Sequence, residues 1–271
     1  MVGRAAPNHA TSMFTGVSRD GAKSEPESLF RVDRVVETGS TNDDVMGRAR
    51  RGEPEGLILV ADVQRSGRGR RARRWEAPPG SALLSSWLFR PPSEVDPHIV
   101  AVAVGVAAVD ACRSLGASDV GLKWPNDLVV GDRKMGGMLA ESVVRGDRVE
   151  AVVVGIGINV MAVELSPEVA ETATSLEAAG ADADRDRLLA AMVPEVHQRY
   201  RRLLGGDTAG LRAAWRQRLD TLGRRVRLEL DDEVLEGTAV DVGQDGALLV
   251  DVDGAIRRVT VGDVVHLRPA G

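Results

Sequence analysis

The order of hydrophobic and polar residues predicts short strands and a few helices. Residues 30–37 alternate loosely, as in a half-buried strand, and residues 56–61 form a compact apolar run of strand length. Residues 98–115 are small and aliphatic without a wide polar face, which predicts a largely buried helix. Strands and helices do not alternate regularly, so the pattern favours an α+β fold with a mixed or antiparallel sheet over a doubly wound parallel sheet.

The remaining segments indicate two domains. Strand patterns cover residues 83–89, 128–130, 138–144 and 149–158, and helical patterns cover residues 43–51, 186–204 and 208–219. Beyond residue 222, short β segments separated by Asp and Gly turns predict a small barrel. We therefore expect a disordered tail over 1–28, a larger domain over 29–220 and a small β-barrel domain over 221–271.

Charge and cysteine content narrow the class of protein. The chain has 35 Lys and Arg against 40 Asp and Glu, and this net charge of -5 argues against binding nucleic acid through the overall field. Cys112 is the single cysteine, so an internal disulfide is impossible and a cysteine-based zinc site is disfavoured. The chain shows no signal-peptide pattern and no apolar run of about 20 residues, and we expect a cytoplasmic protein without a membrane span.

Residues 67–75, GRGRRARRW, place five arginines on a loop with two glycines and a final tryptophan. Glycine lets a backbone approach a ligand, and guanidinium groups grip phosphate or carboxylate oxygens. A solvated charge run needs neither glycines nor the strand that precedes this loop. Single-stranded nucleic acid calls for more interleaved aromatic residues. The loop therefore indicates a local site for a small anionic compound.

Four other segments are weak signals when each is taken alone. They are the helix start at residues 39–42, the Trp-Pro turn KWPND at 123–127, a lysine before two glycines at 132–139, and the glycine-rich strand end GIGIN at 155–159. Each has an ordinary explanation, such as a capped helix, a rigid turn or a solvated lysine. Their order along one chain is more informative than any one of them.

Together with Gln64 and the arginine loop, these motifs resemble the biotin protein ligases over about residues 33–268. The resemblance implies a catalytic domain of the class II aminoacyl-tRNA synthetase and biotin synthetase type, followed by an SH3-like barrel. It implies that biotin and ATP give biotinyl-5′-AMP, and that biotin then passes to one lysine of a carboxyl-carrier domain. Ala72 stands where many members of this family have glycine.

The resemblance also implies roles for individual residues. Catalytic roles fall on Lys134, Arg68 and Arg70, and Asp127 is our candidate to receive the proton that the carrier lysine must lose before it attacks. Biotin-binding roles fall on Ser40, Thr41, Asn42, Gln64, Arg68, Gly69, Arg70, Lys134 and Gly137. Roles in binding ATP and the adenylate fall on Arg70, Arg73, Trp75, Asn126, Lys134 and Asn159. The arginines would concentrate positive charge where two anions must meet, and we expect their loop to close over the reactants.

The implied cofactors are ATP and Mg²⁺ bound to its phosphates, and the implied partner is the biotin carboxyl-carrier domain of acyl-CoA carboxylases. DNA binding is not expected, because only about thirty polar residues precede the catalytic domain. Two alternatives stay open: a lipoate ligase or octanoyl transferase of the same fold, and a non-catalytic binding protein that senses biotin. The sequence also leaves open a monomer or a weak dimer.

Overall fold

The computed structural model describes residues 29–163, 171–182, 184–230, 233–260 and 262–266. The disordered tail expected over residues 1–28 lies outside the described residues. The first sheet contains β1 (Arg31–Thr38), β2 (Leu57–Gln64), β3 (Ala82–Phe89), β4 (Val120–Lys123), β5 (Asp127–Val130), β6 (Arg133–Arg145) and β7 (Arg148–Asn159). The described α-helices are α1 (Thr41–Arg50), α2 (Pro97–Ser114), α3 (Arg185–Leu204) and α4 (Thr208–Arg218), and a short 3-10 helix spans Arg70–Ala72.

The first sheet has seven strands in the order β1-β2-β3-β7-β6-β5-β4. β1 and β2 are parallel and are joined by α1, while the other neighbours are antiparallel. The mixed sheet predicted from the sequence is confirmed. Its consecutive strands β4 to β7 form a meander, and β3 pairs with β7 across a long stretch of sequence.

Helices cover both faces of the sheet, because its central strands bury their side chains on both sides. In β2, Leu57 and Leu59 pack into the smaller core beneath α1. Ile58 and Val60 point the opposite way, into the main core with α2 and α3. This alternation follows the two-residue period of a strand. β2 thereby places Gln64, its last residue, next to the start of α1.

Helix α2 is the buried helix expected from the sequence. Asp96 is its N-cap and accepts a hydrogen bond from the backbone nitrogen of His98 at 2.8 Å. Its length and mean hydropathy of 1.3 match a membrane span, yet 67% of that segment is buried inside the structure. It packs against α3 and α4, which places its apolar surface in the protein core.

The C-terminal part is a second, antiparallel sheet, referred to below as the C-terminal sheet. It contains β8 (Arg225–Glu229), β9 (Val234–Val242), β10 (Leu248–Val252), β11 (Ala255–Val259) and β12 (Asp263–His266), in the order β11-β10-β9-β8-β12. Trp124 joins it to the first sheet: its indole nitrogen donates to the Gly246 carbonyl at 2.9 Å, and its backbone nitrogen donates to Thr221 Oγ1 at 2.9 Å. The domain boundary at residue 220 stays a prediction.

A mostly buried ion-pair cluster holds the three helices of the main layer together. Asp110 of α2 pairs with Arg199 of α3 and with Arg218 of α4, whose Nε lies 2.7 Å from Asp110 Oδ1. Replacing Asp110 with alanine leaves both guanidinium groups without this carboxylate in a poorly hydrated place. We expect Asp110→Ala to lower the free energy of unfolding in urea by about 3 kcal/mol.

The matched control is Asp186→Ala. Asp186 pairs with Arg34 at 2.7 Å, but both side chains are more than half exposed, at 72% and 51%. Removing this ion pair should lower the free energy of unfolding by less than about 1 kcal/mol. Equal effects of the two substitutions would show that the Asp110 cluster does not hold the helix layer.

Candidate active site

The residues singled out from the sequence converge on a cavity of about 300 Å³, bounded by the first sheet, the arginine loop and the C-terminal sheet. The predicted residues that line it are Ser40, Thr41, Asn42, Gln64, Arg68, Gly69, Arg70, Arg73, Trp75, Asn126, Asp127, Lys134 and Gly137. Asn159 lines an adjoining cavity of about 770 Å³, together with Trp75, Asp127 and Lys134. The structure thus brings the predicted residues to two adjoining cavities.

The first turn of α1 forms a neutral, polar end of the first cavity. Ser40 is the N-cap residue, and its hydroxyl makes no capping hydrogen bond with the helix. Ser40, Thr41 and Asn42 are buried. Gln64 Oε1 accepts hydrogen bonds from the backbone nitrogen of Thr41 at 2.8 Å and from its hydroxyl at 3.0 Å. Fixed neutral donors and acceptors of this kind suit an uncharged polar heterocycle.

The glycines of the GIGIN segment are required by close contacts with the side chains of this site. A Cβ on Gly155 would overlap the Asn42 amide, and a Cβ on Gly157 would overlap the Trp75 ring. Both glycines belong to β7, where their missing side chains let Asn42 and Trp75 lie against the strand. The glycine-rich strand end, a weak signal by itself, therefore shapes both cavities.

Lys134 and Asp127 form the charged end of the site. Lys134 Nζ lies 2.8 Å from Asp127 Oδ1 and 5.7 Å from the centre of the Trp75 ring. Gly137 leaves room for this pair, since a Cβ there would lie 3.3 Å from Lys134 Nζ. The pair is partly exposed, with 40% of the lysine side chain accessible. A substrate carboxylate or phosphate entering the cavity would meet the lysine ammonium group here.

The arginine loop is compact and closed on itself. Gly69 donates to the Arg73 carbonyl at 2.7 Å, and Trp75 donates to the Gly67 carbonyl at 2.9 Å. Arg71 has a left-handed backbone, with φ of 54° and ψ of 41°, an uncommon conformation for a residue other than glycine. These contacts bend the loop so that neighbouring arginine side chains leave it in different directions.

The arginines of the loop have different partners. Arg68 pairs with Asp43 at 2.6 Å and with Glu141 at 2.7 Å. Arg73 pairs with Asp263 of the C-terminal sheet, and Arg71 lies 3.7 Å from the same carboxylate.

Arg70 is half-buried in the cavity, with Nη1 3.4 Å from Asn126 Oδ1, and it forms no ion pair among the described residues. Burial lowers the pKa of the Arg70 guanidinium. We infer that Arg70 is the loop cation aimed at the reactants, while Arg68 and Arg73 anchor the loop.

Comparison with known proteins identifies the family. Residues 38–159 match the model of the biotin/lipoate A/B protein ligase family, and residues 221–267 match that of the biotin protein ligase C-terminal domain. The chain is 36% identical over 249 residues to a biotin–[acetyl-CoA-carboxylase] ligase of Mycobacterium tuberculosis, covering 88% of this chain and 90% of the relative. This chain belongs to the biotin protein ligases.

Other relatives agree. The bifunctional ligase/repressor BirA of Escherichia coli is 31% identical over 237 residues, covering 85% of this chain and 72% of BirA. The structure of the biotin protein ligase from Aquifex aeolicus in complex with biotin and ATP superposes with a TM-score of 0.75 and 26% identity, covering 88% of this chain and 98% of that one. The match to the C-terminal model favours a biotin protein ligase over the lipoate branch of the wider family.

Sequence reasoning assigned no role to several residues that line or border this candidate site. Lys123 lines both cavities, and burial is the first cause that lowers the pKa of its ammonium group. Lys123 pairs with Asp127 across strands β4 and β5, and this pairing would have indicated that Lys123 lies in the site. Glu141 and Asp263 were missed as well. They resemble ordinary surface acids in sequence, and only the fold shows that they meet the arginine loop.

A protein-based metal centre is not evident in the part of the chain that the structure describes, where no group of three or more His, Cys, Asp or Glu side chains is placed to hold an ion. The nearest candidate ligand at the charged end is Asp127, beside Asn126. A single carboxylate suits Mg²⁺ that is bound mainly by nucleotide phosphates and water.

The contact between Asp263 and the arginine loop gives a testable prediction. Asp263→Asn removes the carboxylate that pairs with Arg73 and faces Arg71. The loop should then open more often in the empty protein, because one anchor is lost. We expect trypsin to cleave between residues 68 and 74 at least about fivefold faster than in the wild type, and saturating biotin with ATP to restore protection.

The control for this experiment is Glu233→Gln. Glu233 pairs with Arg257 at 2.8 Å on the same sheet, and about half of each side chain is exposed. Its substitution should leave cleavage of the loop unchanged. If Asp263→Asn also leaves cleavage at the wild-type rate, then the C-terminal sheet does not anchor the loop.

Proposed function

We propose that the protein is an ATP-dependent biotin–protein ligase. A carboxylate oxygen of biotin attacks the α-phosphorus of ATP, the bond to the pyrophosphate breaks, and biotinyl-5′-AMP forms. The amine of a carrier lysine then loses a proton and attacks the carbonyl carbon of the anhydride. AMP leaves, and an amide joins biotin to the carrier protein.

The observation that carries this proposal is the division of one cavity into a neutral polar end and a cationic end. Thr41, Asn42 and Gln64 form the first end, and Arg70 and Lys134 form the second. Biotin has the same distribution, with an uncharged ureido ring at one end and a carboxylate at the other. Lipoate carries no ureido group, so the polar end would have no hydrogen-bonding partner from that substrate.

Positive charge is needed because both reactants of the first step are anions. Lys134 and the half-buried Arg70 reach the cavity from β6 and from the arginine loop. Their charges act most strongly where water is excluded, and the loop lies over that part of the cavity. Exclusion of water also protects the adenylate, a reactive mixed anhydride, from hydrolysis.

The adjoining cavity suits the nucleotide. Trp75 forms part of its wall, with small apolar residues such as Ala77 and Pro78, and Asn159 and Lys134 add polar groups. An aromatic ring and apolar neighbours accommodate a base, while the amide and ammonium groups bind ribose or phosphate. Mg²⁺ would be held mostly by the phosphates, with Asp127 among the carboxylates that line this cavity.

Family members act on the carrier domains of biotin-dependent carboxylases, and we propose that this protein modifies the carrier of an acyl-CoA carboxylase. We place the reaction in the cytoplasm, in keeping with one free, buried cysteine, Cys112. The proposal requires no binding to DNA or to a membrane.

The direct test supplies the protein with ATP, Mg²⁺, a carrier domain and either labelled biotin or labelled lipoate. We expect biotin to reach the carrier lysine and pyrophosphate to be released. Transfer of lipoate without biotin would overturn the proposal in favour of a lipoate ligase. Tight binding of biotin without pyrophosphate release would favour a biotin-sensing protein.

Lys134 should contribute to chemistry more than to biotin binding, because its ammonium group faces charge that develops in the first step. We expect Lys134→Ala to slow formation of biotinyl-AMP by at least about 100-fold. The dissociation constant for biotin, measured by calorimetry, should change by less than about tenfold. Equal losses in both quantities would assign Lys134 to binding alone.

Asp127 is the candidate to receive the proton of the carrier lysine in the second step. Asp127→Asn should slow single-turnover transfer from preformed biotinyl-AMP, and the loss should be greatest below pH 7, where fewer lysine amines are already neutral. The measurement spans pH 6 to 9, the range in which the free amine becomes more abundant. An unchanged transfer rate across this range would remove Asp127 from the mechanism.

A further inference from the structure

Glu141 joins the two halves of the proposed biotin site, although it belongs to none of the motifs. It lies on β6 with its side chain 26% exposed. Its Oε2 accepts hydrogen bonds from Asn42 Nδ2 at 2.8 Å and from Arg68 Nη2 at 2.7 Å, while its Oε1 accepts from Arg68 Nη1 at 3.1 Å. One carboxylate therefore contacts both the first turn of α1 and the base of the arginine loop.

We propose that Glu141 is a positioning residue that selects for biotin by fixing the orientation of the Asn42 amide and tying that orientation to closure of the arginine loop. The inference rests on the proposed function, since it concerns recognition of the ureido ring. Glu141 acts through Asn42 and Arg68.

The contacts of Asn42 determine which way its amide points. Nδ2 faces two acceptors, Glu141 Oε2 and the Leu139 carbonyl at 3.2 Å, so it must be the NH₂ group. Oδ1 consequently faces the Ser86 hydroxyl at 2.6 Å. Asn42 is 4% exposed, and water cannot readily replace a lost partner. Without Glu141, the amide would keep only the Leu139 carbonyl and could rotate.

In this orientation, Asn42 belongs to a network of side-chain oxygen atoms that has too few protons to complete its hydrogen bonds. Oxygen atoms meet in three successive contacts: Asn42 Oδ1 with Ser86 Oγ at 2.6 Å, Ser86 Oγ with Thr41 Oγ1 at 2.7 Å, and Thr41 Oγ1 with Gln64 Oε1 at 3.0 Å. The two hydroxyl groups supply one proton each, so one of the three contacts lacks a proton. The network can therefore accept a hydrogen bond from a ligand.

A ureido ring can satisfy this network because its two N–H groups are donors. If Asn42 rotated, its NH₂ group would donate to Ser86, and the network would complete its hydrogen bonds without a ligand. The preference for a ligand with N–H groups would then fall. Glu141, which holds the NH₂ group on its own side, thus keeps the acceptor surface available to biotin.

The second partner of Arg68 provides a matched control. Asp43 Oδ1 accepts from Arg68 Nη2 at 2.6 Å, and Asp43 makes no hydrogen bond to Asn42 among the described residues. Asp43→Asn weakens the anchor of the loop and leaves the Asn42 amide in place. Glu141→Gln weakens both, because a neutral amide cannot accept equally well from Asn42 and from the guanidinium group.

The experiment measures steady-state formation of biotinyl-AMP by the full-length protein. Glu141→Gln should raise KM for biotin by about tenfold, as expected for the loss of a charge-assisted hydrogen bond, with kcat within about twofold of the wild type. Discrimination between biotin and lipoate, which has no N–H donor, should fall in parallel. Asp43→Asn should keep KM for biotin within about twofold, because Glu141 still holds Arg68 through two hydrogen bonds. Thermal melting verifies that each variant is folded.

A double-mutant cycle tests action through Asn42. In an Asn42→Ala background, Glu141→Gln should change KM for biotin by less than about twofold. If Glu141→Gln and Asn42→Ala change KM for biotin independently, so that their effects multiply, the inference is overturned. It is also overturned if Glu141→Gln leaves KM unchanged, or if Glu141→Gln and Asp43→Asn shift KM equally. If Glu141→Gln fails to fold, Glu141→Asp takes its place in the same cycle and is judged by the same coupling.

The two proposals fail in different ways. A wild-type protein that forms no biotinyl-AMP overturns the proposed function and this inference with it. An active wild type whose Glu141 variants keep the normal KM and selectivity overturns the inference alone.

Discussion

Repulsion among the arginines of residues 67–75 is the constraint on which the site depends. Two like charges about 8 Å apart cost about 2 kcal/mol at an effective dielectric constant of 20, and the loop brings five together. The fold offsets this repulsion with carboxylates from separate elements, namely Asp43 at the start of α1, Glu141 on β6 and Asp263 on β12. Arg70 has no such partner among the described residues, which leaves its guanidinium group available to an anionic ligand.

This distribution of charge links the C-terminal sheet to the proposed site. It supplies Asp263 to the arginine loop, and it contacts the KWPND turn through the hydrogen bond from Trp124 to Gly246. The turn in turn carries Asn126 and Asp127 into the cavity. A shift in the position of the C-terminal sheet would therefore move both the arginine loop and the charged end of the site.

The sequence predicted the elements well because strand and helix periods are local, and α2 and β3 agree with their expected spans to within about one residue. It did not predict which strands pair, since β1 with β2 and β3 with β7 are joined by contacts between distant segments. The candidate site residues were predicted from the order of the motifs and the family that this order resembles. Glu141 and Asp263 could not be found that way, because a carboxylate that balances a distant arginine looks like any other surface acid in sequence.

The most direct test of this account compares Arg68→Ala, Arg70→Ala and Arg73→Ala in single-turnover formation of biotinyl-AMP at saturating biotin and ATP. The partners of these arginines predict that Arg70→Ala lowers the rate by at least about 100-fold, because it removes the cation that faces the reactants. Arg68→Ala and Arg73→Ala should retain rates within about tenfold of the wild type, because they loosen the loop and leave the reacting cation in place. Equal losses of rate in all three variants would contradict the division between one reacting arginine and two anchors.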